Sequence, residues 1–314
     1  MRRVRITPNL EYIEPQGRRK LYACAGLALS GRVKTVIDAN PGRDKTRDLL
    51  KSLNPDIAIV SHYHTDHSSW AEQALQHTKA EIMIPHDEER YFRSFDHVIE
   101  HAAGRDVDES LWRSFSMDLL SYREIRTYVT YDSPCSFILG DVSLECIRTA
   151  GHSPGHTSFY FPGLKILFTS DMGIDRLGPW YGWRDCSIEE TVESILHLRS
   201  LDVGLLLTSH GGIITRDIER CWDRALSQIL DREQRIIHSL DMGKTQEEII
   251  HEGVCYPRKD KVKELMRSFL TSWDTVMLDH HMKILGSTTL CRLFPALYEV
   301  DPAVYGRKKA SGAR

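Results

Sequence analysis

The sequence predicts an α/β protein in which layered sheets are covered by helices. Short apolar, β-branched runs recur between stretches of helical spacing, and four of those runs end on a histidine or an aspartate. Composition permits such a body, since 314 residues at 41% hydrophobic content can bury one substantial core.

The first forty residues read as short strands ending in "VKTVIDANPG", and "RDKTRDLLKSL" then has helical spacing. "DIAIV", bounded by Pro55 and a histidine-rich stretch, reads as a buried strand. A helix "SSWAEQALQH" is expected next, with Ser68 or Ser69 as its N-cap, and then a strand "AEIMIP". Between 87 and about 131, Tyr91, Phe92, Phe95, Val98 and Ile99, and then Leu111, Trp112, Phe115, Leu119 and Tyr122, recur at helical spacing. This predicts a helical insertion of two or three segments. Strands "CSFIL", "VSLECIRT", "TSFYF", "KILFTS" and "VGLLLTS" follow, with a helix "IEETVESILHLRS" before the last. Helical spacing from Ile218 to Leu240 stops at Gly243, and Thr245 with Glu248 forms a capping-box pattern. The chain therefore divides into a main domain, 1–240, and a small helical C-terminal module with its tail, 241–314.

A formal charge of −3 gives no electrostatic reason to expect nucleic acid or an anionic membrane as a partner. The basic termini "MRRVR" and "GRKKASGAR" read as solvated tails. No apolar run is long enough to span a bilayer, and no apolar segment follows the N-terminal arginines. Seven scattered cysteines without a C-x-x-C pair suit reduced thiols in a cytoplasmic protein.

The chemistry lies at the strand ends. "SHYHTDH" packs His62, His64, Asp66 and His67 behind the strand "DIAIV". Extended backbone would send His62, His64 and Asp66 to one face while His67 turns into the next helix. Neutral imidazole with carboxylate suits zinc, iron or manganese, and two usable faces suggest two ions. Three later strands end in His152, Asp171 and His210. Ligands collect outside the carboxyl ends of strands in such sheets, so four convergent ends point to one site. "GHSPG" also fits the serine-hydrolase elbow, but Pro154 has no N–H for an oxyanion and a strand follows it. His77, His97, His101, His197, His238 and His251 are expected on helices without paired ligands, and His156 is expected to hydrogen-bond near the site rather than ligate.

H-x-H-x-D-H, a later G-H-S-P-G-H, then S-D and S-H-G in this order resembles the metallo-β-lactamase superfamily over roughly 35–215. The resemblance implies a four-layer αββα sandwich with a dinuclear site at one edge. It implies that one ion takes His62, His64 and His152, and the other Asp66, His67 and His210, with Asp171 bridging. It also implies that Asp38 orients a ligand. Ser170 stands where many relatives carry glycine, and "DHSSW" replaces a common "DHxGG". The glyoxalase II and lactonase branches share this ligand set, so the ligands do not choose a substrate. "KTQEEII" with "LDHHMKILGS" is similar to the winged-helix-like tail of the β-lactamase-like protein 2 branch, some members of which cleave RNA.

The function expected is a metal-dependent hydrolase using a metal-bound hydroxide on a small acyl substrate, with two divalent ions, zinc first and iron or manganese as alternatives. Asp66 is expected to act on the water while ligating. Tyr181 is a candidate proton donor. Alternatives are an RNA phosphodiesterase drawing on Arg258, Lys259, Lys261 and Lys263, a mono-iron persulfide-dioxygenase-like oxidoreductase, and a non-catalytic metal-binding protein. The insertion and the loop 174–186 are expected to wall the metal edge.

Overall fold

The computed structural model describes residues 1–15, 23–103 and 107–285. Two sheets face one another. The first runs β1 (Arg2–Thr7), β2 (Leu10–Glu14), β3 (Gly26–Ser30), β4 (Lys34–Ile37), β5 (Ile57–Ile59), β6 (Glu81–Pro85) and β7 (Val129–Tyr131) in that spatial order. It is antiparallel up to β4 and parallel from there on. The second contains β8 (Cys135–Leu139), β9 (Val142–Arg148), β10 (Thr157–Phe161), β11 (Ile166–Phe168), β12 (Leu205–Thr208) and β13 (Gly212–Ile214), ordered β13-β12-β11-β10-β9-β8.

The period of two along each strand builds the layers. Ile37, Ile59, Phe159, Phe161, Phe168 and Leu207 meet between the sheets. Their chain neighbours Val36, Ala58, Leu167 and Leu206 face outward into a second core. That core is closed by α1 (Arg43–Leu53) and α3 (Ala71–His77) on one side, and by α7 (Ile188–Arg199) and α8 (Ile218–Asp241) on the other. The result is helix, sheet, sheet, helix.

Four expectations are corrected. The helix after the histidine stretch starts earlier, as α2 (Thr65–Ser68), and α3 has no side-chain cap. Ser68 is no N-cap, because its hydroxyl donates back to the Tyr63 and His64 carbonyls. The insertion is α4 (Glu89–Arg93), α5 (Phe95–Val98) and α6 (Glu109–Arg113), with wider π turns after α5 and α6. In the second π turn Leu120 N–H reaches back five residues to Phe115, so Leu119 swings out to 47% exposure and Leu120 turns in. The end of the 87–131 stretch is β7, paired parallel to β6 through Met83 and Val129. Finally, β13 adds a strand at "GGIIT", whose three half-buried strand residues carry too little pattern to predict one.

Beyond α8 come α9 (Gln246–Glu252), opened by the expected Thr245–Glu248 capping box, and α10 (Glu264–Ile284). Ile249, Phe269, Met277, Leu278 and Ile284 join the same core as α8 and Trp112 of the insertion, with Trp112 and Phe269 rings 4.7 Å apart. Cys291 lies outside the described residues. Among the described residues the cysteines are free, and no helix is long and apolar enough to cross a membrane.

Candidate metal centre

Parallel pairing aligns the strand ends. Ile37 pairs with Ile59, which sets Asp38 beside the start of "SHYHTDH", and Phe168 pairs with Leu207, which sets Ser170–Asp171 beside Ser209–His210. Backbone bonds from Thr157 N to Ser61 O (3.1 Å) and from Ala25 N to Ser209 O (3.0 Å) stitch the two sheets together at this edge.

The seven predicted residues converge as two donor groups, His62–His64–His152 and Asp66–His67–Asp171–His210, the ligand atoms within each lying within 4.8 Å of one another. Asp66 departs from the extended-strand reading. Because α2 begins at Thr65, the carboxylate rotates away from His62 and His64 and joins His67. Asp171 stands between the groups, with Oδ1 3.2 Å from His67 Nε2 and Oδ2 3.3 Å from His210 Nε2 and 3.6 Å from His152 Nε2.

Three of the imidazoles are aimed through their other nitrogen. His67 Nδ1–H donates to Asp38 Oδ2 (3.0 Å), and His152 Nδ1–H donates to the Trp180 carbonyl (2.9 Å). His62 Nδ1 bonds Ser61 Oγ (2.8 Å), Ser61 bonds Ser170 Oγ (2.8 Å), and Ser170 donates to Asp38 Oδ2 (3.0 Å). Asp38 thus orients His67 directly, and His62 through two serines. The outcome is a set of buried acceptors without hydrogen-bond partners: Nε2 of His62, His64, His67 and His152, and Oδ1 of Asp171. Orphaned buried polar atoms are costly unless something binds them. Here they are the donor set a divalent cation requires.

Burial, with crowding among the imidazoles, pushes His62 and His64 well below the usual histidine range, keeping the neutral, ligating form. Burial alone would raise the Asp171 carboxyl, but His210 and His67 more than offset it and hold it well below the ordinary range.

The sequence profile of the metallo-beta-lactamase superfamily matches residues 27–210. The chain belongs to this superfamily. Among solved structures, it is similar to a metallo-beta-lactamase family protein of Thermus thermophilus, at TM-score 0.68 and 17% identity, covering 90% of this chain and 94% of that one. A beta-lactamase domain protein of Burkholderia ambifaria superposes with TM-score 0.68 at 16% identity, over 90% and 88% of the two chains. These likenesses show the fold. By sequence, hydroxyacylglutathione hydrolase GloC of Haemophilus influenzae is 23% identical over 194 residues, 58% of this chain and 82% of the relative. A hydroxyacylglutathione hydrolase of Mesorhizobium japonicum is 24% identical over 127 residues, spanning 39% of this chain and only 37% of the relative's length. At the level of the family the metallo-β-lactamase fold is that of a metal-dependent hydrolase, and the two donor groups fit divalent ions.

One departure from the superfamily pattern, Ser170, is built into the hydrogen-bond network. Ser170 takes φ +49, a left-handed conformation in which glycine is relaxed, and its hydroxyl bonds both Asp38 and Ser61. Gly151 has φ +122, and a Cβ there would lie 2.2 Å from the Thr191 backbone nitrogen, so glycine lets the His152 turn lie against α7. His156 uses both ring nitrogens, with Thr149 Oγ1 (2.8 Å) and the Asp171 N–H (3.1 Å), and so braces Asp171 without ligating.

Sequence reasoning missed Glu88. Its carboxyl, 0% exposed, accepts from Tyr63 N–H (2.6 Å), Gly155 N–H (2.9 Å) and the Ser153 hydroxyl, tying the His62–His64 turn to the His152 turn. Nothing in "PHDEER" marks one acid among three. Burial raises Glu88 to about 8, although these hydrogen bonds pull the other way. A raised folded-state value means that the fold binds the proton more tightly than the unfolded chain does. That stabilisation is complete below the ordinary value of 4.5 and is lost as pH climbs through about 8. Denaturant titrations from pH 5 to 9 should therefore show the wild type losing a few kcal/mol relative to Glu88→Gln. Parallel profiles for the two proteins would refute this.

Other expectations change. Tyr181 is fully buried and donates to His281 Nε2 (2.9 Å), so its hydroxyl does not serve the site as a proton donor. Lys259 is 5% exposed and paired with buried Asp274, which removes it from the expected basic patch. His97 and His101 are not isolated, since one turn of helix brings them together with Glu100 at the insertion's surface.

A cleft of about 730 Å³ opens over the donors. The insertion lines it with Phe115 and Leu120, the loop after Asp171 with Ile174, Trp180 and Trp183, and the C-terminal helical segment with Tyr256 and Trp273. The first two walls were expected and the third was not.

Proposed function

We propose that this chain is a dinuclear metal-dependent hydrolase of small acyl substrates, a thioester, lactone or related ester. We place one zinc ion on His62, His64 and His152 and a second on Asp66, His67 and His210, with Asp171 shared between them. The observation that carries this is the set of buried, unpartnered nitrogen and carboxylate donors arranged as two groups around one aspartate. Two divalent ions would supply Lewis-acid polarisation of the scissile carbonyl and a water acidified towards neutral pH. The chain's own groups do the rest. Asp66 Oδ2, 3.3 Å from His210 Nε2 and partly exposed to the cleft, is placed to accept the proton of the attacking water. Water adds to the acyl carbon, the bond to the leaving atom breaks, and a carboxylic acid and the protonated leaving group depart.

The acyl class is supported by the hydrolases of an acylglutathione among the relatives. The phosphodiester reading loses Lys259 from its cation set, which weakens it. We place the protein in the cytoplasm on its free cysteines. Elemental analysis of protein purified without chelators should find close to two zinc ions per chain. A single iron, with no second ion taken up on reconstitution, would overturn the dinuclear reading. Robust RNA cleavage lost in Asp66→Ala, without turnover of thioester, lactone or ester, would overturn the acyl reading.

A further inference from the structure

The cleft is unequal on its two sides. Gly211 and Gly212 follow His210 in the chain, and Asp175 interacts with His210 and Asp171. Beside the three-histidine group the aromatic wall begins at the donor rings themselves. Trp183 meets His64 edge-on at 4.4 Å, and Trp180 stands 5.6 Å from His64 and 5.5 Å from His152. The wall continues to Trp273, 5.7 Å from Trp180, and to Tyr256, 5.9 Å from Trp273. Trp180 donates its indole N–H to the Tyr256 hydroxyl (2.6 Å), so what it offers a ligand is ring surface. Phe115 and Leu120 complete the wall from the insertion. A group joined to an atom held at the three-histidine donors would lie against the rings of Trp180 and Trp183.

We propose that the substrate's acyl chain is bulky and apolar, an aryl or medium-length alkyl group, and that it seats on the Trp180–Trp183–Trp273 side of the cleft. This rests on the acyl-hydrolase reading above, but the pocket itself is tested by binding alone. The probes are product-like carboxylates, namely acetate, butyrate, hexanoate, octanoate and 4-phenylbutyrate, titrated calorimetrically into the zinc-loaded protein. Affinity should rise with chain length, by roughly fourfold per buried methylene at full burial. Phenylbutyrate should bind at least about tenfold more tightly than butyrate. Trp273→Ala should reduce the octanoate-to-acetate affinity ratio by about tenfold. Phe115→Ala gives a second, independent reading should the first variant fold poorly. A flat series, or a slope untouched in both variants, overturns the proposal. A steep series in a protein that hydrolyses no acyl ester would support the pocket assignment and sink the hydrolase reading. Hydrolysis with equal kcat/KM for acetyl and phenylbutyryl esters would do the reverse.

Discussion

Asp171→Ala is expected to lower kcat/KM on any substrate the enzyme hydrolyses by at least about 1,000-fold, equivalent to about 4 kcal/mol of transition-state stabilisation. Its two oxygens lie 3.2–3.6 Å from the Nε2 atoms of His67, His210 and His152, so one side chain serves both donor groups. His156 cannot replace it, because its ring is already committed to Thr149 and to the Asp171 backbone. The variant should fold, since the carboxylate points at the donors rather than into the core. Metal content should fall from two ions towards one. Asp171→Asn keeps the volume but loses the charge, and it should sit close to the alanine variant in activity. A variant that keeps both ions, or stays within tenfold of wild type, would show that Asp171 does not link the two groups.

The donor residues were legible in the sequence because all of them follow the ends of four short apolar strands, which the sheet pairings bring to one edge. The pairing of donors was less legible. Treating "SHYHTDH" as extended put Asp66 with His62, whereas the family resemblance paired it with His67 and His210; the chain turns helical at Thr65, and that step gives the second grouping. Leu119 failed for a similar reason, as a π turn adds a residue to the period on which the aromatic stripe was read. Glu88 and the third wall of the cleft were out of reach for a different reason. A buried acid in "PHDEER" looks like its exposed neighbours until the fold brings Tyr63, Ser153 and Gly155 to it. Helices α8 to α10 are likewise amphipathic without announcing what their apolar faces cover.

What they cover leads to the second large effect. Glu233 of α8 and His281 of α10 are buried at 1% and 0% side-chain exposure, with Glu233 Oε2 against His281 Nδ1. His281 Nε2 then receives the Tyr181 hydroxyl at 2.9 Å, so both ring nitrogens of His281 are engaged. Around it, Arg232 donates to the carbonyls of Leu177 and Pro179, and His280 Nε2 bonds the Trp183 carbonyl (2.9 Å). These contacts pin the loop 174–186, and that loop supplies the Trp180 carbonyl that orients His152. The C-terminal helices therefore reach His152 through the Trp180 carbonyl, beside the ring contact of Trp273 with Trp180. Removing one partner of a buried pair costs about 3–5 kcal/mol, so Glu233→Ala should lower the melting temperature by on the order of 10 °C. A purely structural brace would stop there. If the loop carries the effect onward, zinc affinity measured by chelator competition should also fall, by about tenfold, the low end for losing a ligand's hydrogen-bond support. Glu233→Gln keeps an oxygen for His281 Nδ1–H and should recover most of both losses. An unaltered melting temperature in Glu233→Ala would remove the clamp from the account. Lost stability with wild-type zinc affinity would show that the C-terminal helices hold the fold without holding His152.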